Sequence, residues 1–524
     1  MASKNTTTQQ PHSARQIILM LLLAVAGSLA VFLLQSHTGL SLRDEGLLWY
    51  NAQRVMVGEV PIRDFTSYDI GRYYWSAAFM NLLGDNGIVT LRVATAAFQT
   101  MGVFIGLTLL ARSHAKQNIF FWLLVIITLM VWMSPQYRLF DNSLPIVLIG
   151  ALSFLVEQPA RHRYFLAGLT VGLVAVFGRN HGIYGVAGSL CTMIYLTAKR
   201  QSGPNLTSAF IAWVAGVVVG YLPVLLFIAA VPGFAPAFLE SICYLFEIKA
   251  TNIPLPIPWP WAVPFEILPT GRALRGVAIG AFFVAIVIFG VMGAAWSIWQ
   301  KLQNKRVSFA LIASVFLALP YAHYAYSRAD IEHLAPGVFP FLIGIFALLA
   351  SQPAKIKWPF AALLCGASLL VMLPTHSGWY CYKNPQCVET NVAGDKLKID
   401  RETAGMLTDV NELAEQFAPG SRAFLMAPLW PGAYAALGRK APMWDTYAIL
   451  PRSIAFQQGE IERIKAANPG FVIIGDMALD GREDLRFRNT HQIIDRYIRD
   501  HFECLNCNVQ NPAFRVYRSN QAGQ

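Results

Sequence analysis

Long apolar runs separated by short polar connections dominate the first 373 residues. The first, residues 17–34, has 18 residues without a charge, which as a helix is about enough to cross a hydrocarbon core of roughly 30 Å. A cleaved signal peptide is the alternative, but the run is long and no small-x-small site follows it. Further runs predict spans near 87–111, 118–133, 144–158, 164–178, 183–198, 208–230, 273–299, 307–323, 335–350 and 358–373. The pattern predicts a polytopic α-helical membrane protein with about eleven transmembrane helices.

Two connections are too long and too structured in composition to be simple linkers. Residues 35–86 contain an amphipathic stretch at 44–57 and a second interfacial helix candidate at 73–83. The other connection, residues 231–272, includes PLPIPWPWAVP at 254–264. Because proline alternates with apolar residues there, this stretch is not expected to form a regular helix.

The sequence predicts two domains: the membrane part, residues 1–373, and a tail, residues 374–524, which we expect to form a small α/β domain. Short apolar runs predict strands at 422–427, 471–475 and 514–518, and helical periodicity predicts helices at 401–417 and 483–499. The tail contains no Walker loop, GxGxxG motif or nucleophile elbow.

Four cysteines lie in the tail: Cys381, Cys387, Cys504 and Cys507. In an oxidising compartment they would form two disulfides, with the pairing left open. A redox motif or half a zinc site at CLNC (504–507) is the alternative. It lacks a thioredoxin-like context and a second ligand pair of matching spacing.

Composition and charge sharpen the prediction. Only 14% of the side chains are charged, against roughly 25% in soluble proteins. This excludes a disordered chain, a nucleic-acid-binding domain and an ordinary cytosolic enzyme. The net charge is +11; the tail holds 17 basic and 17 acidic groups, so the surplus lies in residues 1–373, with 24 basic and 13 acidic groups.

The surplus positive charge predicts the orientation. One set of connections in the membrane part carries 13 basic groups and a single acid, Glu157, whereas the rest carries 11 basic and 12 acidic groups. The positive-inside rule places the first set in the cytoplasm. The N-terminus is therefore predicted inside and the tail outside. Compact outer loops and the lack of eukaryotic sorting signals favour a bacterial inner membrane with a periplasmic tail.

The outer connections hold the candidate chemistry, because acids near a bilayer must be hydrated, paired or functional. Asp44 and Glu45 follow the first span; helix capping is the alternative for Asp44. The stretch 63–75 mixes acids, arginines and aromatic rings, which suits a sugar. An aromatic belt with solvated ion pairs explains it equally well. Its candidate binding residues are Asp64, Tyr68, Asp69 and Arg72.

Three shorter outer turns add further candidates. Arg138 and Asp141 lie in one turn, Arg179 and His181 in a second, and Arg328, Asp330 and His333 in a third. Arginine offers bidentate contacts to phosphate. Each turn alone fits a hydrated loop, but their convergence on one membrane face favours a shared site.

This pattern resembles the GT-C superfamily of integral membrane glycosyltransferases. The residues that carry the resemblance are Asp44-Glu45 with the following Gly-Leu-Leu-Trp-Tyr, the run FTSYDIGRYYW, Asp141 and the run RADIEHL. The layout is most similar to the family-39-like bacterial enzymes, such as the lipid A aminoarabinose transferases, and to the protein O-mannosyltransferases. The tail matches no specific soluble domain of these families.

The resemblance implies transfer of a sugar from a polyprenyl phosphate, with inversion, to a lipid, glycan or protein acceptor. Asp44 would be the base for the acceptor hydroxyl, Glu45 its orienter or a metal ligand, and Asp141 a second acid on the acceptor side. Some members need a divalent metal, so a Mg²⁺ or Mn²⁺ ion on these three carboxylates remains open.

Because the leaving phosphate is already anionic, the site needs fixed positive charge more than a general acid. Arg328 and His333 are the first candidates for this role, with Arg138, Arg179 and Lys249 in reserve. The alternative function is a transporter or flippase of a lipid-linked sugar. It is disfavoured because we find no internal repeat and the acids cluster at one interface rather than at mid-membrane.

Overall fold

The computed structural model describes residues 14–113, 117–198, 204–249, 252–382, 384–506 and 514–520. The membrane part consists mainly of helices, and every apolar run predicted above overlaps one or two of them. They are α1 (Ala14–Gln35), α2 (Asp44–Met56), α3 (Ile70–Leu83), α4 (Ile88–Ser113), α5 (Ile119–Trp132), α6 (Leu139–Glu157), α7 (Arg161–Phe177), α8 (Arg179–Thr197), α9 (Leu206–Gly220), α10 (Leu222–Ala230), α11 (Phe234–Ile248), α12 (Thr270–Leu302), α13 (Phe309–Ser327), α14 (Ile331–Leu349) and α15 (Ala354–Met372).

Seven helices in the described ranges are long and apolar enough to cross a membrane: α1, α4, α6, α12, α13, α14 and α15. An eighth crossing results if α9 and α10 form one span, although they meet at a 56° bend. Pro223 in the first turn of α10 lacks the N–H that would continue α9. The chain is therefore a multi-pass membrane protein, and the predicted count of eleven crossings is not confirmed.

The basic connections meet at one end of the bundle. Arg112 in the last turn of α4 and Arg163 at the start of α7 both pair with Glu157 at 3.0 Å, and Lys357 on α15 donates to Gln117 at 3.0 Å. The candidate site residues lie on other connections. The two classes of connection that the charge count separated are thus also separate in space.

The tail comprises α16 (Ser377–Tyr380), β1 (Cys387–Val392), β2 (Asp395–Asp400), α17 (Arg401–Phe417), β3 (Leu425–Ala427), α18 (Pro431–Leu437), α19 (Ile454–Ala467), β4 (Phe471–Gly475), α20 (Phe487–Thr490), α21 (Gln492–His501), β5 (Phe502–Cys504) and β6 (Phe514–Ser519). Strands β1 and β2 form an antiparallel hairpin. The other four form a sheet in the order β3-β4-β6-β5, in which only β3 and β4 are parallel. The three predicted strands correspond to β3, β4 and β6, although β3 begins three residues later than predicted.

The structure of the tail differs from one prediction and agrees with part of another. The single helix expected at 483–499 is wrong, because Arg486 and His491 leave helical geometry. His491 is buried and its ring stacks on Phe487, with 5.0 Å between ring centroids. Cys381 and Cys387 form one disulfide, while Cys507 lies outside the described residues.

The tail packs onto the outer loops over a broad surface. Gly432 at the start of α18 donates its N–H to the Leu42 carbonyl at 2.9 Å. A Cβ on Gly46 of α2 would lie 2.5 Å from the Gly432 backbone, so this contact requires glycine. Further hydrogen bonds join Lys398 to His37, Trp444 to Arg63 and Thr66, and Tyr244 to Pro451. The tail is therefore held against the start of α2, where Asp44 lies.

Candidate active site

Asp44 is the first residue of α2 and is partly buried. One carboxylate oxygen accepts a hydrogen bond of 2.9 Å from the Tyr447 hydroxyl of the tail. Its side chain does not cap α2, since no side-chain cap hydrogen bond is present at that helix start. Among the described residues no arginine or lysine forms an ion pair with Asp44. Within the part of the chain that the structure describes, Asp44 is thus a carboxylate without an ion-pair partner.

Glu45 lies elsewhere, because neighbouring residues on a helix point about 100° apart. It is buried and forms a bidentate ion pair with Arg92 of α4, with both contacts at 2.8 Å. Arg92 also donates to the carbonyls of Ser36 and Gly39, both at 2.7 Å. The pair therefore fastens the first outer loop to α4, and both oxygens of Glu45 are occupied.

A set of polar residues surrounds Asp44, and we call it the Asp44 cluster: Asp44, Tyr68, Tyr137, Arg138, Glu332 and Tyr447. The charge of Asp44 acts electrostatically on Tyr68, Tyr137, Glu332 and Tyr447. Tyr68 is 51% exposed although charged groups surround it. The cluster is therefore open to water and to a ligand.

Arg138 supplies the positive charge of this cluster. It caps α6 and donates one hydrogen bond, of 3.2 Å, to the Tyr324 hydroxyl. Its Nε is buried without a hydrogen-bond partner and lies 3.7 Å from Glu332. A guanidinium with an unused buried donor is suited to an additional anionic oxygen.

Asp141 is buried below the cluster and is fully engaged. Arg72 contacts it at 3.0 Å and His181 at 3.1 Å, and the other His181 ring nitrogen contacts the Tyr321 hydroxyl at 2.9 Å. Arg72 also donates to the Phe177 carbonyl at 2.6 Å, and its guanidinium lies 5.6 Å from the Tyr68 ring centroid. This network holds Arg72 next to the Tyr68 ring. Asp141 is therefore placed to position Arg72.

The other acids of the second candidate stretch pair locally. Asp69 contacts Arg179 at 2.6 Å, and Asp64 contacts its neighbour Arg63 at 2.8 Å. Lys249 ends α11 in a left-handed conformation, with an exposed side chain. These side chains form no hydrogen bond or ion pair with Asp44 among the described residues.

The 328–333 turn is built around Asp330, which caps α14 and contacts His333 Nδ1 at 2.7 Å. Burial raises the pKa of Asp330, but His333 more than offsets this and holds it at about 2. Arg328 contacts Asp330 at 2.7 Å and Asp480 of the tail at 2.6 Å. Arg328 is thus paired with two carboxylates at hydrogen-bond distance, whereas Arg138 has one carboxylate partner, Glu332, at 3.7 Å.

The three carboxylates considered as metal ligands do not converge. Glu45 is bound by Arg92 and Asp141 by Arg72 and His181. Within the described ranges, no group of three His, Cys, Asp or Glu side chains could hold a metal ion. Asp44, Glu45 and Asp141 therefore do not form a shared set of metal ligands.

Sequence reasoning missed Arg92, Tyr137, Tyr324, Tyr447 and Asp480 as parts of this region. Glu332 and Tyr137 lie beside candidates that were named and hydrogen-bond to each other. Tyr447 follows Asp44 by 403 positions and belongs to a loop without a motif. Only the three-dimensional contact reveals it.

Solved structures of ArnT share the architecture of this chain, a helical membrane bundle followed by a small α/β domain. ArnT from Cupriavidus metallidurans in the apo state matches with a TM-score of 0.54 and 11% identity over 96% of this chain and 97% of that chain. The same protein bound to undecaprenyl phosphate matches with a TM-score of 0.52 and 12% identity, over 98% and 99%.

The oligosaccharyltransferase of Archaeoglobus fulgidus in the apo form is a looser match, with a TM-score of 0.47 and 12% identity over 97% of this chain and 75% of that chain. No protein-family model and no curated protein sequence matches. The two ArnT matches show that the chain has the ArnT fold, which agrees with the predicted GT-C layout. The likeness to ArnT extends through the tail, which the sequence alone could not match to a known domain.

Proposed function

We propose that the protein is a membrane glycosyltransferase that moves a sugar from a polyprenyl phosphate to a hydroxyl group of a cell-envelope acceptor. The observation that supports this most directly is the Asp44 cluster. A carboxylate without an ion-pair partner and an arginine that makes one hydrogen bond to the protein lie together beside the half-exposed Tyr68. The carboxylate suits the acceptor hydroxyl, and the arginine suits the leaving phosphate. The shared fold with ArnT, one of whose structures contains undecaprenyl phosphate, agrees with such a donor.

The reaction needs one proton transfer and one displacement. Asp44 takes the proton of the acceptor hydroxyl as its oxygen bonds to the anomeric carbon. The bond from that carbon to the phosphate oxygen breaks on the opposite face, which inverts the configuration and releases polyprenyl phosphate. Arg138 stabilises the phosphate charge. Burial and the nearby Asp44 charge raise the pKa of Tyr447 well above its usual range, so its hydroxyl stays a donor to Asp44.

The predicted roles shift accordingly. Arg138 takes the phosphate role first assigned to Arg328 and His333, and Glu45 and Asp141 position the loop and Arg72 rather than react. Tyr68, half exposed above Arg72, is the residue that we assign to the face of the transferred sugar. We place the protein in a bacterial inner membrane, with the N-terminus in the cytoplasm and the tail in the periplasm.

Proteoliposomes containing the purified protein test this function. A polyprenyl phosphate carrying a radiolabelled sugar is added together with an extract of envelope acceptors. We expect loss of the lipid donor and an equal gain of a glycosylated product. Movement of the labelled lipid between leaflets without any product would instead support the transporter alternative.

A further inference from the structure

A cavity of about 440 Å³ lies between the membrane part and the tail, apart from the Asp44 cluster. We call it the α11 cavity. Its size is within the range of about 300–1,000 Å³ that is typical of small-molecule sites. One wall comes from the end of α11 and from residues 252–254, and the other from residues 450–453 and 482–485 of the tail. None of the candidate residues described above lines it.

The tail wall of the α11 cavity lies where an α/β domain usually binds ligands. Residues 450–453 belong to the connection that follows β3 and α18, and residues 482–485 to the connection that follows β4. Strands β3 and β4 are parallel, and Ala448 of the first connection donates to the Pro428 carbonyl just after β3 at 2.8 Å, so both connections lie at the same edge of the sheet. Crevices at the carboxyl ends of parallel strands are the common ligand sites of such sheets.

Two basic and two acidic side chains line the α11 cavity: Arg452, Arg482, Glu247 and Asp484. Arg452 contacts Asp445 at 2.9 Å, and its guanidinium lies 3.7 Å from the Tyr244 ring centroid. Arg482 pairs with Asp484 at 2.6 Å. Paired charges offer both donors and acceptors to hydroxyl groups without attracting a net charge. This lining suits a neutral carbohydrate better than a phosphate.

The mouth of the α11 cavity adjoins an apolar helix face. Leu239 and Phe246 of α11 are 60% and 77% exposed, and Glu247 and Ile248, the next residues, line the cavity. An exposed apolar face of this kind on an amphipathic outer helix lies in the membrane interface. A ligand of the cavity would therefore have a lipid tail close at hand.

We propose that the α11 cavity binds the carbohydrate part of a membrane-anchored glycan, which is the acceptor; this rests on the proposed function. Leu450 lines the cavity three residues after Tyr447, the partner of Asp44. At about 3.3–3.6 Å per residue, these two positions are no more than about 11 Å apart. A glycan seated in the cavity therefore reaches toward the Asp44 cluster.

Site-specific photocrosslinking in the full-length protein tests this proposal. p-Benzoylphenylalanine replaces Asp484 in the cavity or, as the control, Glu462 on α19; both side chains are largely exposed, at 63% and 71%. Native membranes are irradiated, and the mass of each adduct is measured. We expect adducts containing both sugar and acyl chain at position 484, at least tenfold more than at position 462. Adducts with peptide or with phospholipid alone, equal labelling at both positions, or no adduct would overturn the proposal.

The crosslink needs no turnover, so its outcome is independent of the transfer reaction. A companion pair, Asp484→Trp and Glu462→Trp, links the cavity to activity. We expect Asp484→Trp to lower transfer to the acceptor at least tenfold while donor binding stays unchanged, and Glu462→Trp to behave as wild type. If the wild type transfers sugar and Asp484→Trp does so equally well, the acceptor assignment is wrong. If the wild type makes no product, the proposed function fails instead.

Discussion

The hydroxyl of Tyr447 donates a 2.9 Å hydrogen bond to the carboxylate of Asp44 and so connects the tail to the first outer loop at the proposed base. The two residues lie 403 positions apart in the chain. Since Asp44 is only partly buried, this bond fixes which carboxylate oxygen faces the open part of the cluster. The tail thereby contributes directly to the geometry of the proposed reaction.

Tyr447→Phe removes only that hydrogen bond. A hydrogen bond to a charged group is worth about 1.5–3 kcal/mol, and roughly 1.4 kcal/mol corresponds to a tenfold change in rate. We expect kcat to fall roughly ten- to a hundredfold with little change in the KM for the donor. Initial rates in proteoliposomes measure this, with Tyr497→Phe in the tail as the control. Equal rates for the two variants would show that Tyr447 does not orient the base.

Glu45→Ala leaves Arg92 buried without its partner. Removing one member of a buried pair typically costs about 3–5 kcal/mol, and the Arg92 and Glu45 side chains are only 2% and 5% exposed. We expect a clear loss of unfolding free energy in denaturant titrations, whereas Asp44→Asn should remain close to wild type. Similar stabilities for both variants would contradict the structural role given to Glu45.

Arg138→Gln and Arg328→Gln distinguish the two arginines proposed for the phosphate. Loss of a charge-assisted contact of about 1.5–3 kcal/mol predicts that Arg138→Gln weakens donor binding roughly ten- to a hundredfold. Arg328→Gln should change donor binding little, because Asp330 and Asp480 already neutralise Arg328. Equilibrium binding of a labelled polyprenyl phosphate measures both. The opposite ranking would return the phosphate role to Arg328.

Glu460 predicts a pH dependence of stability in the tail. Its side chain is fully buried against Trp444 and Arg463, and burial raises its pKa to about 7. The folded state therefore binds a proton that the unfolded state has lost, so stability falls as pH rises from about 4.5 to about 7. The effect is on the order of 3 kcal/mol.

Thermal unfolding of the full chain between pH 5 and pH 8 measures this effect. We expect Tm to fall over that interval for the wild type and to fall less for Glu460→Gln, which keeps an acceptor for the Trp444 N–H. Parallel pH curves for the two proteins would show that Glu460 does not titrate in this range.

The membrane helices were predictable because an apolar run long enough for a bilayer has few alternatives to a helix. The bend between α9 and α10 was not predicted, although Pro223 lies at the break and is visible in the sequence. In the tail, the apolar strands β3, β4 and β6 were found from short runs. The hairpin β1–β2 was not predicted, although charged and apolar residues alternate along β2, which is a strand pattern.

The sequence predicted which loops form the candidate site, but not which of its charged residues form ion pairs. Asp44 and Glu45 look alike in sequence, and only the position of Arg92 within α4 separates a paired carboxylate from an unpaired one. Arg328 likewise differs from Arg138 in part through Asp480, which is more than a hundred positions away from both. Such distinctions depend on long-range contacts that periodicity and local motifs do not contain.

The central claim is that the Asp44 carboxylate is the base for sugar transfer. The most direct test compares wild type, Asp44→Asn and Asp44→Ala for transfer from a radiolabelled polyprenyl-phosphate donor, with Asp409→Asn on the exposed face of α17 as the matched control. Loss of a general base typically costs about 10²–10⁴-fold in rate. We predict losses of that size for both Asp44 variants, with donor binding intact and Asp409→Asn fully active. Transfer at the wild-type rate by Asp44→Asn and Asp44→Ala would contradict the account.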